Sequence, residues 1–307
     1  MSQRPKLHLR PAHQLTGHRA AIYCLAPGRD DRHFLSAGGD GWLVDWSFDE
    51  PETGRLLASV DTRLFSLTFL PEQELAVAGN MNGGVHWIDL KNEDRRRNVL
   101  HHQKGVFAQF PLGEHLFTAG GDGLLTRWSI PQRRAMESLQ LTSSSLRAIA
   151  FQPERNELAV GASDNAIYLL DADSLAIRRV IRDAHDNSVF CLGYHPHRPV
   201  LLSGGRDAHL KAWQLDGDPK LHSSQAAHWF TINALAFDPT GTYLATASRD
   251  KTVKLWSAED LQLLKVLEGP RDKGHFNSVN TLLWSPEGDR LLSAGDDRSI
   301  IIWEVST

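Results

Sequence analysis

Histidine, a serine or threonine, and aspartate recur in this order along the chain, and together these side chains could form a catalytic triad. In a triad, one histidine takes the proton from one nucleophilic hydroxyl while a carboxylate orients the ring. His18, Ser36 and Asp40 form the first of five such sets, which keep nearly the same spacing. Because one active site needs only one nucleophile, the repetition indicates a structural role for these residues.

A bulky apolar residue, usually tryptophan, follows six residues after the aspartate position and marks the period of the repeat. It recurs at steps of 41, 41, 42, 43, 43 and 47 residues, at Trp46, Trp87, Trp128, Leu170, Trp213, Trp256 and Trp303. Short alternating runs such as Val253, Leu255 and Trp256 are typical of strands. A period in the low forties carried by tryptophan is typical of propeller blades. The sequence therefore predicts an all-β fold, a seven-bladed β-propeller with four antiparallel strands in each blade.

The Gly-His pairs Gly17-His18 and Gly274-His275, with aspartate and tryptophan at fixed offsets, resemble the WD40-repeat family over nearly the whole chain. The resemblance implies that one histidine, one hydroxyl residue, one aspartate and one tryptophan form a hydrogen-bonded structural tetrad within a blade. Carried onto this sequence, the tetrads are His18-Ser36-Asp40-Trp46, His101-Thr118-Asp122-Trp128, His185-Ser203-Asp207-Trp213, His228-Thr246-Asp250-Trp256 and His275-Ser293-Asp297-Trp303. A buried aspartate needs hydrogen-bond donors to offset its desolvation, and an imidazole with turn amides can supply them.

Two repeats depart from this pattern. Val77 and Met81 in repeat two, and Val160 and Leu170 in repeat four, replace polar members of the tetrad. We expect these two blades to depend on packing rather than on a buried polar network. The Trp-Asp dipeptide itself does not occur in the sequence, so the resemblance rests on the four-part spacing.

The repeats follow one another without a linker, which predicts a single propeller domain over residues 1–307. The predicted repeats span about 16–57, 58–98, 99–140, 141–182, 183–225, 226–272 and 273–307. Few residues follow Trp303, so the last blade lacks an outermost strand of its own. We expect residues 6–15 to supply that strand, close the ring and cover the exposed edge.

The resemblance also implies which residues line one mouth of the central channel. In the family, these are the third and fifth residues after the tetrad histidine and the residue before the aspartate. They carry over as Ala21, Tyr23, Arg63, Phe65, Lys104, Val106, Ser145, Arg147, Ser188, Phe190, Thr231, Asn233, Ser278 and Asn280, together with Gly39, Asn80, Gly121, Ser163, Arg206, Arg249 and Asp296. Five of them are Arg or Lys and one is acidic, although the chain has a net charge of -4. The alternative is that these loops merely tolerate polar residues.

Arginine interleaved with aromatic residues is the composition of binding hot spots. The candidate partner-binding residues are Tyr23, Arg63, Phe65, Lys104, Arg147, Phe190, Arg206, Trp229 and Arg249. The sequence therefore predicts a non-catalytic scaffold or adaptor for protein-protein interaction, which binds peptide or protein partners with acidic segments at this mouth, alone or as a subunit of a larger complex. The alternative is an enzymatic propeller with a hydrolase-like site at the mouth. That reaction needs convergent carboxylates or a metal, which Asp296 alone does not provide.

No cofactor or metal site is predicted. Glycine-rich turns such as Gly38-Gly39-Asp40-Gly41 lack the Lys-Ser/Thr of a phosphate-binding loop. His195 and His197 have no third ligand in their repeat, so they predict a loop between strands.

Composition and cysteine usage favour the cytoplasm. No run approaches the roughly 20 apolar residues that cross a bilayer, and residues 1–6 lack the apolar core of a secretory signal. Cys24 and Cys191 lie in non-adjacent repeats and are predicted to be free, buried thiols. The basic runs at 95–97 and 178–179 fall in predicted outermost strands beside acidic residues, so we expect neither nucleic-acid nor membrane binding.

Overall fold

The structure is a computed structural model that describes residues 8–306, and these form seven four-stranded antiparallel sheets. One strand, β1 (His8–Leu15), precedes the first blade. Blade one contains β2 (Ile22–Pro27), β3 (His33–Gly38), β4 (Trp42–Ser47) and β5 (Arg55–Ser59). Blade two contains β6 (Leu64–Leu70), β7 (Leu75–Asn80), β8 (Gly84–Asp89) and β9 (Arg97–Leu100). Blade three contains β10 (Val106–Leu112), β11 (His115–Gly120), β12 (Leu124–Ser129) and β13 (Arg134–Gln140).

The remaining blades repeat this arrangement. Blade four contains β14 (Leu146–Gln152), β15 (Glu157–Ala162), β16 (Ile167–Asp171) and β17 (Ile177–Ile181). Blade five contains β18 (Val189–Tyr194), β19 (Val200–Gly205), β20 (His209–Gln214) and β21 (Lys220–Ala226). Blade six contains β22 (Ile232–Phe237), β23 (Tyr243–Ser248), β24 (Val253–Ser257) and β25 (Leu263–Leu267). Blade seven contains β26 (Val279–Trp284), β27 (Arg290–Gly295) and β28 (Ile300–Ser306).

The N-terminal strand completes blade seven and closes the ring, as the sequence predicted. The strand order there is β1, β28, β27, β26, with β1 antiparallel to β28 from His8 opposite Ser306 to Leu15 opposite Ile300. The Arg10 Nε donates to Glu304 Oε2 across this pair at 2.6 Å. Residues 6 and 7, where the closing strand was predicted to begin, lie outside the described residues, as do residues 1–5.

The apolar core lies in the gaps between neighbouring blades. Trp87 of blade two and Trp128 of blade three are fully buried, with ring centroids 6.0 Å apart, and pack in one cluster with Val77 and Leu116. Because each sheet buries its faces against its two neighbours, every blade depends on an unbroken ring. Cys24 and Cys191 are free and buried on inner strands, as predicted.

Helical structure in residues 8–306 is confined to four short segments. Three are 3₁₀ turns, at Pro71–Gln73, Glu93–Arg95 and Pro153–Arg155, and one is a single α-helical turn, α1 (Gly269–Asp272). None of these segments is long and apolar enough to cross a bilayer.

Candidate protein-binding site

In blades one, five, six and seven, the predicted tetrad side chains hydrogen-bond to one another. In blade five, Trp213 Nε1 donates to Ser203 Oγ at 2.9 Å, and His185 lies 2.7 Å from Ser203 Oγ through Nε2 and 2.9 Å from Asp207 through Nδ1. An indole N–H only donates and a carboxylate only accepts, so this order fits a neutral imidazole with its proton on Nδ1. The same contacts join His18, Ser36, Asp40 and Trp46, then His228, Thr246, Asp250 and Trp256, and then His275, Ser293, Asp297 and Trp303.

The tetrads are built for structure rather than for nucleophilic catalysis. The Ser203 hydroxyl is completely buried, as are its counterparts in the other blades, so a substrate cannot reach it. Burial raises the pKa of Asp207, but the hydrogen bond from His185, together with those from two backbone amides, outweighs burial and brings that pKa down to about 2. The Asp207 carboxylate accepts these hydrogen bonds from the backbone amides of Asp186 and His209. An ionised carboxylate therefore holds the turn between two strands at neutral pH.

In blade three the tetrad histidine is His102, and the prediction of His101 was wrong. His102 Nε2 lies 2.8 Å from Thr118 Oγ1, and His102 Nδ1 lies 3.2 Å from Asp122. The loop of this repeat is two residues shorter than in its neighbours, which moves the histidine to 20 rather than 22 residues before the aspartate. A β-carbon at Gly120 would lie 2.2 Å from His102 Nδ1, so only glycine admits the ring there. His101 instead contacts Trp128 edge-on, with ring centroids 5.0 Å apart.

Blades two and four keep part of a polar network, contrary to the expectation that they depend on packing alone. In blade two, Asn80 stands one residue before the expected aspartate, accepts two turn amides through Oδ1 and contacts His86 Nε2 at 2.8 Å. Among the residues described, the Trp87 indole N–H has no hydrogen-bond partner. In blade four, the Tyr168 hydroxyl donates to Asp164 at 2.6 Å and takes the place of the histidine.

Each inner strand carries a β-bulge at the same place, and in six blades the bulged residue is one that the sequence assigned to the channel mouth. In blade one, the pairing of β2 with β3 shifts between Ile22 and Cys24, which leaves Tyr23 unpaired. An extra residue in a strand turns its side chain away from the regular alternation. The seven bulged residues, which we call the bulge ring, are Tyr23, Phe65, Phe107, Arg147, Phe190, Asn233 and Asn280.

The bulge ring corrects the predicted mouth in blade three. Val106, which was placed there by counting from His101, is completely buried and packs in the core between blades two and three. Counting from His102 gives Gly105 and Phe107 in place of Lys104 and Val106. Lys104 is exposed beside the mouth, one residue away from the predicted position.

Five members of the bulge ring form a continuous arc around one side of the mouth. Tyr23 and Phe65 have ring centroids 5.1 Å apart, and Phe65 and Phe107 have centroids 5.4 Å apart. The Arg147 guanidinium carbon lies 4.0 Å from the Phe107 centroid and 5.2 Å from the Phe190 centroid. We call these five residues the aromatic arc. Aromatic faces attract a cation placed over them, so the arc holds the Arg147 side chain in place.

The other two members of the bulge ring are asparagines that join neighbouring inner strands. Asn233 Nδ2 donates to Val279 O at 2.8 Å, and Asn280 Nδ2 donates to Ile22 O at 3.0 Å. Asn280 also donates to Asp296 Oδ1 at 2.7 Å. The one acidic residue of the predicted mouth is therefore engaged by an amide on this side of the ring.

The predicted cations lie at different depths. Arg147 is half-buried, and its Nε donates to Ser163 Oγ at 3.2 Å. Burial lowers the pKa of Arg147, and the nearby charge of Arg206 lowers it further. Burial and Asp296 raise the pKa of Tyr23, and the charge of Arg63 opposes them.

The remaining predicted site residues surround the bulge ring. Arg63, Arg206 and Arg249 are exposed, and within residues 8–306 none of them pairs with a carboxylate. Trp229 lies apart from the arc, on the exposed loop after His228, and 86% of its surface is accessible. Within residues 8–306, no group of three or more His, Cys, Asp or Glu side chains could hold a metal ion.

Comparison with known proteins identifies the family. The family model for the WD domain, G-beta repeat (WD40), matches residues 9–44, 178–214, 220–257 and 262–304, together about half of the chain. THO complex subunit 6 homolog of Danio rerio is 24% identical over 180 residues, which cover 52% of this chain and 55% of that protein. WD repeat-containing protein 55 of Mus musculus is 21% identical over 256 residues, which cover 83% of this chain and 65% of that protein. The chain thus spans less than two thirds of the length of either relative.

A solved structure shows the same fold. The WD40 beta propeller domain of Doa1 superposes with a TM-score of 0.85 at 18% sequence identity, and the match covers 97% of both chains. The family model matches four repeats and the structure shows a propeller of seven blades. This chain therefore belongs to the WD40-repeat family.

Proposed function

We propose that this chain is a non-catalytic scaffold that binds an acidic segment of a protein partner at the bulge ring. Family membership points to protein interaction in general, because WD40 propellers act as interaction scaffolds. The observation that carries the finer proposal is Arg147, a half-buried guanidinium between two aromatic faces that has no carboxylate partner in residues 8–306.

A carboxylate from a partner would satisfy this guanidinium. Partial burial removes water from the Arg147 guanidinium, and burial together with the charge of Arg206 lowers its pKa, so a negative charge beside it would be favourable. Arginine can donate two parallel hydrogen bonds to one carboxylate, which makes such pairs both strong and directional. Since Phe107 and Phe190 already hold the guanidinium, binding costs little additional side-chain entropy.

The charge distribution around the mouth supports an acidic rather than a basic ligand. Arg206 lies close enough to Arg147 to lower its pKa, so two positive charges share this side of the ring. Asp296 accepts a hydrogen bond from Asn280, on the side of the bulge ring formed by the two asparagines. An incoming carboxylate therefore meets arginine in the aromatic arc and does not compete with an internal ion pair.

We also propose that the protein works within a larger assembly. The relative from Danio rerio is named as a subunit homolog of the THO complex, and a relative from Dictyostelium discoideum is named as a striatin homolog. An enzymatic propeller with a hydrolase-like site at the mouth is the less favoured function, because Asp296 is the one acidic residue of the predicted mouth and already accepts a hydrogen bond from Asn280.

Selection from a random peptide library against the immobilised protein tests the proposal. Peptides retained by the wild type should be rich in Asp and Glu, and Arg147→Gln should weaken their binding by about tenfold or more. Arg97→Gln is the matched control, since it removes one exposed charge from the outermost strand β9, far from the mouth, and should leave binding unchanged. Selected peptides without acidic residues, or equal affinities for Arg147→Gln and wild type, would contradict the proposal.

A further inference from the structure

Three large aromatic side chains are exposed on the loops of blades six and seven that follow the tetrad histidines. Trp229 is 86% accessible, Phe230 is 58% accessible and Phe276 is 67% accessible. We call these three residues the aromatic shelf. Single exposed apolar side chains are common on protein surfaces, but exposed apolar residues that cluster together mark interaction sites.

The backbone beneath the aromatic shelf is fixed by the tetrads. The Trp229 amide donates to Asp250 Oδ2 at 3.0 Å, and the Phe276 amide donates to Asp297 Oδ2 at 3.2 Å. Ser248 Oγ donates to the Phe230 carbonyl at 3.1 Å. The backbone of the shelf residues is therefore already ordered, so partner binding costs little additional backbone entropy.

A cleft of about 440 Å³ adjoins the aromatic shelf at Phe276, which is the one shelf residue that lines it. Asp250, which accepts a hydrogen bond from the Trp229 amide, also lines the cleft, and Pro270 adds an apolar surface. This volume is large enough for one bulky apolar side chain of a partner. Phe276 belongs to both the cleft and the shelf, and Asp250 of the cleft binds the Trp229 amide, so the two surfaces adjoin.

The charges around the cleft indicate what accompanies that side chain. Glu268, which precedes α1, and Asp272, its last residue, both pair with Arg271, at 3.6 and 3.1 Å. Four exposed cations near the cleft and the shelf pair with no carboxylate of the described chain: Arg249, Lys251, Lys273 and Arg298. The uncompensated charge here is positive, so a partner carrying carboxylates complements it.

We propose that the aromatic shelf is a second anchor for the acidic segment that binds at the bulge ring, and that it accepts a large apolar side chain flanked by Asp or Glu. This proposal rests on the proposed function, because Arg249 belongs both to the predicted mouth and to the border of the shelf. The ligand is then a segment with two features, a carboxylate for Arg147 and an apolar residue for the shelf.

Tryptophan fluorescence of the full chain reports on the shelf directly. The chain has nine tryptophans, and Trp229 is the exposed one while the other eight are buried or half-buried. Acrylamide should therefore quench chiefly Trp229 in the free protein. Peptides obtained by library selection on the wild type should carry an apolar residue beside Asp or Glu, shift the emission to the blue and protect Trp229 from acrylamide.

The variant Trp229→Ala/Phe276→Ala separates the two anchors. It should lose about tenfold or more in affinity for those peptides. It should bind the same peptides with their apolar residue changed to Ala as well as the wild type does. The shelf proposal is overturned if the selected peptides lack a large apolar residue, if Trp229 stays equally quenchable, or if the double variant binds them unchanged. It is also overturned if sedimentation shows that the wild type self-associates through the shelf and the variant does not.

Failure of the proposed function gives a different result. In that case the selected peptides lack acidic residues and Arg147→Gln binds them normally, whatever the state of the shelf.

Discussion

Replacing His102 by alanine should destabilise the protein far more than the same change at its neighbour His101. The His102 ring is completely inaccessible and makes two hydrogen bonds, to Thr118 and Asp122. Each bond contributes about 1 kcal/mol, and the stranded buried acceptor and the small cavity together add about 1 kcal/mol more. We expect His102→Ala to lower the free energy of unfolding by about 3 kcal/mol.

The His101 side chain is half-buried and its partners remain satisfied without it. Its Nε2 contacts Thr126 and Ser138, and these two hydroxyls also hydrogen-bond each other at 2.9 Å. The variant His101→Ala loses mainly the edge contact with Trp128, which is worth about 1 kcal/mol.

Urea unfolding of both variants, followed by circular dichroism at neutral pH, measures the difference. The midpoint should fall more for His102→Ala, and equal m-values would show that both variants unfold from the same kind of native state. A double-mutant cycle with Thr118→Val adds a control, because residues that share a hydrogen bond should show losses that do not add. Equal losses at the two histidines, or a larger loss at His101, would refute the assignment of His102 to the tetrad.

Three further predictions concern the ring and its acid sensitivity. Deleting residues 1–15 should expose the edge of the last blade, lower the midpoint of urea unfolding and cause self-association, which light scattering measures. A monomer of normal stability would contradict ring closure by β1. Burial raises the pKa of Cys24 and Cys191, so both thiols should resist Ellman's reagent in the native protein and react on unfolding; fast reaction with the native state would show open blades. Burial, followed by the charges of Arg198 and His197, lowers the pKa of His195 to about 4. The unfolded state therefore binds this proton first as pH falls below about 6.5, and the free energy of unfolding declines until about pH 4 with a slope of at most about 1.4 kcal/mol per pH unit. In urea titrations His195→Gln should reduce that slope. An unchanged slope would assign it to other groups.

The fold was predictable from the sequence because the residues that mark its repeat must be buried together. The tryptophan period gave seven blades, and the shortage of residues after Trp303 gave the origin of the closing strand. The offset failed in blade three, since the loop there is two residues shorter rather than one, which places the buried ring at His102 and not at the adjacent His101. The better signal there was Gly120, which leaves room for an imidazole.

The candidate site was predictable only in part. Arg147 and Phe65 were assigned to the mouth from the family pattern, whereas Phe107 was missed because its position depends on the corrected histidine. The bulges that select these side chains are features of strand pairing, and no local sequence signal marks them. Likewise, Asn80 takes the role of the aspartate that the pattern places one residue later, at Met81. This replacement can be recognised only from the turn amides that donate to the Asn80 side chain.

The seam of the ring has a consequence for biosynthesis. Residues 8–15 are translated before the seven blades, but their pairing partner at residues 300–306 is translated after the first six. The bond from Asn280 to Ile22 crosses the same seam, so one side of the bulge ring is also finished late. The propeller therefore cannot close, and this side of the bulge ring cannot be completed, until residues 300–306 have been synthesised.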